Sequence, residues 1–203
     1  MKTFLILGAG TAGTMMAREM AHALDLNQWK VIVVDKEEQH YYQPGFLFIP
    51  FGYYKRDDVV KPIRSFVAKG VEYVVSNIEA LEPADNKVTL ANGRVIQYDY
   101  LVIATGTDIH PEETEGLKDG GWGENIFDFY TYNGAAALAP AISRFQGGRF
   151  LVNVVENPIK CPVAPLEFIF LADAYFTRKG IRDKVEITYA TPLPGAFTKP
   201  VAA

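Results

Sequence analysis

Along the first 35 residues the apolar positions form two short blocks, Leu5-Ile6-Leu7 and Val31-Ile32-Val33-Val34, separated by a stretch where apolar and polar residues interleave. Continuous apolar blocks of this length read as strands buried on both faces. Between them, Met15, Met16, Met20, Ala21 and Ala23 sit among polar neighbours, which predicts a helix from Thr14 to Leu24. Strand, helix and strand in succession begin a βαβ unit. The pattern then changes: Tyr41 to Tyr54 is strongly aromatic and is broken by two prolines and two glycines, which excludes a regular helix or a central strand. This loop either packs on the core or lines a flat apolar cofactor pocket. Lys61 to Gly70 reads as a helix with a glycine stop. The charges of Lys55-Arg56-Asp57-Asp58 ahead of it read as a solvated face.

Short apolar runs at Val71–Ser76, Ile78–Leu81, Lys87–Leu90 and Val95–Tyr98, with a hairpin turn at Asn92-Gly93, predict an antiparallel insert. Tyr98 to Gly106 reads as a buried strand that returns the chain to the carboxyl edge of the parallel sheet. Residues 107–123 are acidic and glycine-rich and read as a linker between lobes. A helix from Gly134 to Phe145, a buried strand from Arg149 to Val155, a helix from Pro165 to Lys179 stopped by Gly180, and a strand from Val185 to Ala190 begin a second βαβ unit. Two strands are few for a sheet, so this unit reads as one that stops part-way. The expected organisation is α/β: a Rossmann-like dinucleotide-binding domain with an antiparallel insert over residues 1–112, then an incomplete second Rossmann-like domain over 113–203.

Composition narrows the function classes. The 203 residues are 49 % apolar, enough for a sizeable core. A net charge of -4 and a pI near 5.4, with no Lys/Arg cluster, leave nothing to neutralise a nucleic-acid backbone. The first strand starts at Thr3 with no signal-peptide pattern ahead of it, and no apolar run approaches the roughly 20 residues that span a bilayer. A protein made in the cytoplasm, soluble or peripheral to a membrane, is expected. The single cysteine, Cys161, excludes an internal disulfide. It is an apolar filler, a metal ligand lacking companions, or a redox thiol.

The candidate chemistry begins where the first strand meets Gly8-Ala9-Gly10-Thr11-Ala12-Gly13. In such a turn Gly8 permits the tight bend, Gly10 lets the backbone approach a pyrophosphate, and Gly13 lets the helix pack closely on the strand. The helix start then offers unpaired N–H groups and a favourable dipole to the phosphates. Asp35 closes the second strand about 20 residues further on, where a carboxylate that binds a ribose hydroxyl is expected. Ala104-Thr105-Gly106, after the last strand of the first domain, reads as a second contact turn at the edge where ligands collect.

The glycine turn, Gln39-His40-Tyr41-Tyr42-Gln43-Pro44, Lys55-Arg56-Asp57-Asp58, the Tyr98–Gly106 strand and Lys160-Cys161-Pro162-Val163-Ala164-Pro165-Leu166-Glu167 together resemble the sulfide:quinone oxidoreductase family. Flavoprotein subunits of flavocytochrome c sulfide dehydrogenase look similar, and both belong to the two-dinucleotide-binding-domain flavoproteins. The resemblance covers essentially all of this chain but only the N-terminal half of such a protein. It implies FAD as cofactor, with the pyrophosphate on Gly8 to Gly13, the adenosine ribose on Asp35, and further contacts from Lys36, Gln43, Pro44, Ile78, Thr105 and Gly106. It implies sulfide and a quinone as substrates, and Cys161 as one of a redox pair beside the flavin; the partner cysteine and the membrane-binding end would lie beyond Ala203. A homo-oligomer is compatible with it.

Where the wider superfamily carries a second glycine turn for NAD(P)H, this chain has Glu156 to Pro165, with three prolines and no glycine. Prolines lack N–H donors and every Cβ blocks close backbone approach, so nicotinamide binding is disfavoured. Lys160 and the helix start near Cys161 favour a thiolate. Relatives often carry another cysteine where this chain reads Asp128-Phe129-Tyr130-Thr131-Tyr132. His40 and His110 read as surface or satisfied histidines, and Glu167 as an acid or base near the cysteine or a first-turn helix charge. A nicotinamide-dependent disulfide reductase relative and a non-catalytic FAD-binding remnant stay open beside the sulfide-oxidising reading.

Overall fold

The structure, a computed structural model, describes residues 1–196. The chain forms two compact units: Met1–Tyr42 with Val60–Asp108, and Gln43–Val59 with the chain from Ile109 on.

The first unit contains β1 (Lys2–Leu7), α1 (Thr11–Ala23), β2 (Trp29–Asp35), β3 (Gln39–Tyr41), β4 (Val60–Pro62), β5 (Glu72–Val75), β6 (Ile78–Glu82), β7 (Lys87–Leu90), β8 (Val95–Gln97) and β9 (Tyr100–Ile103). Its centre is a four-stranded parallel sheet in the order β5-β2-β1-β9. The strand period of two divides its apolar residues between two layers. Leu5, Leu7, Ile32 and Val34 face Val88, Leu90 and Ile96 of the antiparallel β6-β7-β8 insert. Ile6, Val31 and Val33 face the other way, onto Ala17 of α1 and Ile63. Leu5, Ile6, Val31, Val33 and Val34 are fully buried, and each such side chain contributes roughly 1.5–3 kcal/mol. The rigidity of the sheet's carboxyl edge derives from this double covering.

Three sequence expectations in this unit fail. Val71–Ser76 does not belong to the antiparallel insert: Glu72–Val75 pairs parallel with β2 and forms an edge of the central sheet, and only β6, β7 and β8 make the insert. Residues 61–70 are not a helix. Val60–Pro62 pairs antiparallel with Gln39–Tyr41, Ile63 N–H donates to Glu38 O at 2.9 Å, and the buried Ile63 side chain joins the core. Strand pairing and burial outweigh helix propensity, and only a single helical turn at Ile63–Ser65 and the glycine stop remain, Gly70 at φ +89. Nor is the strand before Gly106 buried: β9 is an edge strand, and Tyr100 and Ile103 are 55 % and 60 % exposed.

The second unit contains α2 (Tyr132–Arg144), β10 (Gly148–Asn153), α3 (Ala164–Arg178) and β11 (Val185–Ala190), with β10 and β11 parallel. Its core gathers Leu138, Ile142, Val152, Phe168, Ala172, Phe176 and Val185 with Leu47 and Phe51. The aromatic loop therefore packs on a core, and Phe51 lies 4.9 Å from Phe168, centroid to centroid. The strand at 149–155 is open on one face, with Leu151 61 % exposed. Residues 109–123 are a succession of turns within this unit, including Pro111–Glu113 and a Gly123 N–H bond to Ile126 O at 2.7 Å. Among the described residues, no helix is long and apolar enough to cross a membrane.

One ion cluster ties the parallel sheet to the insert. Glu72 accepts from Arg94 Nη1 at 2.6 Å and faces Lys30 Nζ at 2.7 Å, which holds its carboxyl at about 2, the Arg94 hydrogen bond contributing most. Folding thus lowers the pKa, so the cluster stabilises fully above the ordinary value of 4.5 and loses its effect as pH falls towards 2. Solvent screening at this half-exposed site limits the contribution to about 1 kcal/mol. Glu72→Gln is expected to lose about that much in urea unfolding at neutral pH, with the difference from wild type closing as the pH falls from 4.5 to 2.

Candidate functional site

The site of the first unit lies at the carboxyl edge of the parallel sheet, where the chain leaves β1 for α1 and returns as β9 on the other side of β1. A crevice at such a switch point is where open α/β sheets bind ligands. Gly8 N–H donates to Val34 O and Ala104 N–H to Leu7 O, both at 2.7 Å, so the loops after β1, β2 and β9 start from a common edge. Gly8 has φ +100, and a Cβ there would overlap the Ala104 carbonyl and stand 2.9 Å from Thr105 Cα. A Cβ at Gly13 would overlap the Gly8 carbonyl. Both glycines are thus required by the fold itself.

Gly10 differs. Its φ is -68, and a Cβ there would meet nothing within 4 Å. It is exposed, as are Thr11 and Ala12, and no side chain caps the helix start that follows. A bare helix N-terminus behind a residue with open space suits an anion approaching the main chain. Asp35 closes the arrangement: Oδ2 accepts from Ala9 N–H at 2.6 Å and Oδ1 from Glu37 N–H at 2.9 Å. Each carboxylate oxygen keeps a second lone pair, free to accept from a hydroxyl.

Of the remaining expected contacts, Thr105 and Gly106, at φ +76, are exposed in the turn after β9. Lys36 is exposed beside Asp35. Ile78 opens β6 two residues after Ser76, whose N–H donates to Asp35 O at 2.8 Å. The first unit alone thus gathers Gly8 to Gly13, Asp35, Lys36, Ile78, Thr105 and Gly106, whereas Gln43 and Pro44 open the short helical turn Gln43–Phe48 of the second unit. His40 is half-buried 4.7 Å from the Phe66 ring, and burial pushes its pKa down against the pull of Asp35. His110 Nδ1 lies 3.0 Å from Glu112 Oε1.

Cys161 lies in the second unit, three residues before α3. It is exposed, which removes the filler reading, and its backbone is left-handed at φ 51. Its carbonyl accepts from Ala164 N–H and from the Tyr130 hydroxyl, both at 3.1 Å. The sequence reading missed the turn behind this contact. Asp128 accepts from the N–H groups of Tyr130 at 2.9 Å and Thr131 at 2.6 Å and from Thr131 Oγ1 at 3.1 Å, while Thr131 Oγ1 caps α2 by accepting from Gly134 N–H at 3.0 Å. Burial raises the Asp128 pKa against these bonds. An Asp three residues before a Thr cap was the available signal. Glu167 is exposed in the first turn of α3.

The family model for pyridine nucleotide-disulphide oxidoreductase matches residues 2–140. The chain belongs to that family. Members of the pyridine nucleotide-disulphide oxidoreductase family represented here are FAD-binding flavoproteins, and FAD is the cofactor of this fold. The uncapped helix start, the open space at Gly10 and the Asp35 carboxylate fit its diphosphate and ribose. The chain is 30 % identical over 186 residues to the mitochondrial sulfide:quinone oxidoreductase of Dictyostelium discoideum, covering 91 % of this chain and 41 % of that protein. It is 30 % identical over 193 residues to the mouse protein of the same name, covering 95 % and 42 %. The sulfide:quinone oxidoreductase structure from Aquifex aeolicus superposes with a TM-score of 0.80 at 24 % identity, over 93 % of this chain and 43 % of that one. The chain thus spans less than half the length of these relatives.

The two kinds of glycine separate experimentally. Gly13→Ala forces α1 away from the turn, and a loss of about 2 kcal/mol in stability is expected; a melting curve matching wild type would contradict it.

Proposed function

We propose that this chain is the cofactor-binding and thiol-bearing part of a sulfide:quinone oxidoreductase-type flavoprotein. The observation that carries the reading is the pairing of a complete dinucleotide turn in the first unit with an exposed, conformationally constrained cysteine in the second, where the family's NAD(P)H turn would stand. The diphosphate of FAD is held by the N–H groups at the start of α1 beside Gly10, the ribose by Asp35, and further contacts come from Lys36, Gln43, Pro44, Ile78, Thr105 and Gly106. FAD supplies the two-electron redox chemistry; the protein supplies binding and orientation.

The role of Cys161 is that of one member of a redox pair. Sulfide attacks the disulfide it forms with a second cysteine of the whole protein, and the S–S bond breaks to leave a persulfide on one sulfur and a thiolate on the other; Cys161 passes the electron pair to FAD. Thiols act in such chemistry as thiolates, and its exposure gives a small anion direct access. Sulfide as donor and a quinone as acceptor are supported by the likeness to proteins named for that reaction. Residues 156–163 contain no regular element, and prolines at 158 and 162 withhold N–H donors from any second phosphate cradle. That argues against the NADH-dependent reading, which the 28 % identity to a type II NADH:quinone oxidoreductase of Staphylococcus aureus over 58 % of this chain would otherwise suggest.

The purified chain is expected to take up FAD with a flavin visible spectrum. Gly10→Ala, whose Cβ meets no protein atom within 4 Å, is expected to lower FAD affinity at least about tenfold while leaving the melting curve of the apoprotein unchanged. Wild-type FAD affinity in that variant would sink the placement of the diphosphate. In the full-length protein, anaerobic sulfide, and not NADH, is expected to bleach the bound flavin, and Cys161→Ser to slow the bleaching; rapid bleaching by NADH would overturn the reading.

A further inference from the structure

We propose that Tyr130 is a positioning residue for Cys161: its hydroxyl clamps the Cys161 carbonyl and holds the thiol-bearing residue in its left-handed conformation at the head of α3. The inference rests on the reading of Cys161 as the redox thiol and goes beyond it, since it assigns what keeps that thiol in place.

A non-glycine residue in the left-handed region persists only where its surroundings hold it, and Cys161, at φ 51, shares that conformation only with Asn86 among the described non-glycine residues. Asn86 follows a short helical turn, where asparagine tolerates the conformation well. A cysteine has no such local compensation. Cys161 is held instead by two donors on one carbonyl: Ala164 N–H from the start of α3, and Tyr130 Oη from a turn 31 residues upstream. Together they use both lone pairs of that oxygen.

The tyrosine is itself fixed. Its N–H is bonded to Asp128, its ring lies 5.0 Å from Phe129, and Phe129 stacks on Phe168 of α3 at 4.3 Å and 9°. Both ends of the clamp are therefore referred to α3, one through the main chain and one through ring packing. Burial pushes the phenol above its ordinary value, so the hydroxyl stays a donor at physiological pH. Phe at 130 would keep the ring packing and remove only the clamp.

The chain has one cysteine, so a nitroxide label on the full chain reports Cys161 alone. In Tyr130→Phe the mobile component of the label's spectrum is expected to grow about fivefold, the population change matching one hydrogen bond of about 1 kcal/mol. Tyr53→Phe, which removes another phenol contact of the same unit, 2.6 Å from Arg178 Nη1, is expected to leave the spectrum as in wild type. Should Tyr130→Phe not fold, Asp128→Asn loosens the same turn and is expected to raise mobility in the same direction. An unchanged spectrum in the folded variant overturns the clamp, as does an equal rise in Tyr53→Phe. Sulfide bleaching of flavin in Cys161→Ser of the full-length protein tests the underlying reading separately: bleaching at the wild-type rate removes the redox role and leaves the clamp to be decided by the label alone.

Discussion

The contact between the start of α1 and the turn after β1 is the constraint on which the first unit depends. Gly13 lies against the carbonyl of Gly8, and Gly8 against that of Ala104, with no room for a Cβ at either. Strand, helix and returning strand are thereby drawn to within main-chain contact at one edge of the sheet. That closeness aims the unpaired amides of α1 at one point and lets Asp35 reach the Ala9 N–H from the neighbouring strand. The same two glycines that set the packing of the fold also set the geometry of the sheet's carboxyl edge, the candidate site.

The second unit reaches a comparable result by different means. There is no glycine turn after β10; the helix that follows is introduced by a proline-bearing loop and a cysteine in a conformation normally left to glycine. Side chains do the work that close main-chain packing does in the first unit. A half-buried carboxylate, that of Asp128, gathers three donors from Tyr130 and Thr131, and stacked rings of Phe129 and Phe168 anchor that turn to α3.

Much of the first unit was legible in the sequence because its strands are buried on both faces and its turn has a spacing set by covalent geometry. Leu5 to Gly13 and Val31 to Asp35 lie where the apolar blocks put them, and the hairpin insert follows its turn residues. What could not be read depends on partners distant in sequence. Lys61 to Gly70 has helix-forming composition, yet its first residues pair with residues 39–41. Tyr100 and Ile103 look like core positions but lie on an edge strand. The excursion of residues 43–59 into the second unit leaves no trace in composition, because aromatic residues look the same whichever core they fill. At the candidate site, the glycine turn and its carboxylate were legible as a motif, while Asp128 and Tyr130 were not, since their meaning comes only from what they touch.

The solitary, exposed sulfur has an outcome of its own for a preparation of residues 1–203 alone. With no second cysteine among those residues, the disulfides open to it there join two separate molecules or capture a small thiol from solution. In such a preparation its oxidation is bimolecular, governed by concentration and by the surrounding thiol pool, so its redox state depends on dilution history as much as on chemistry.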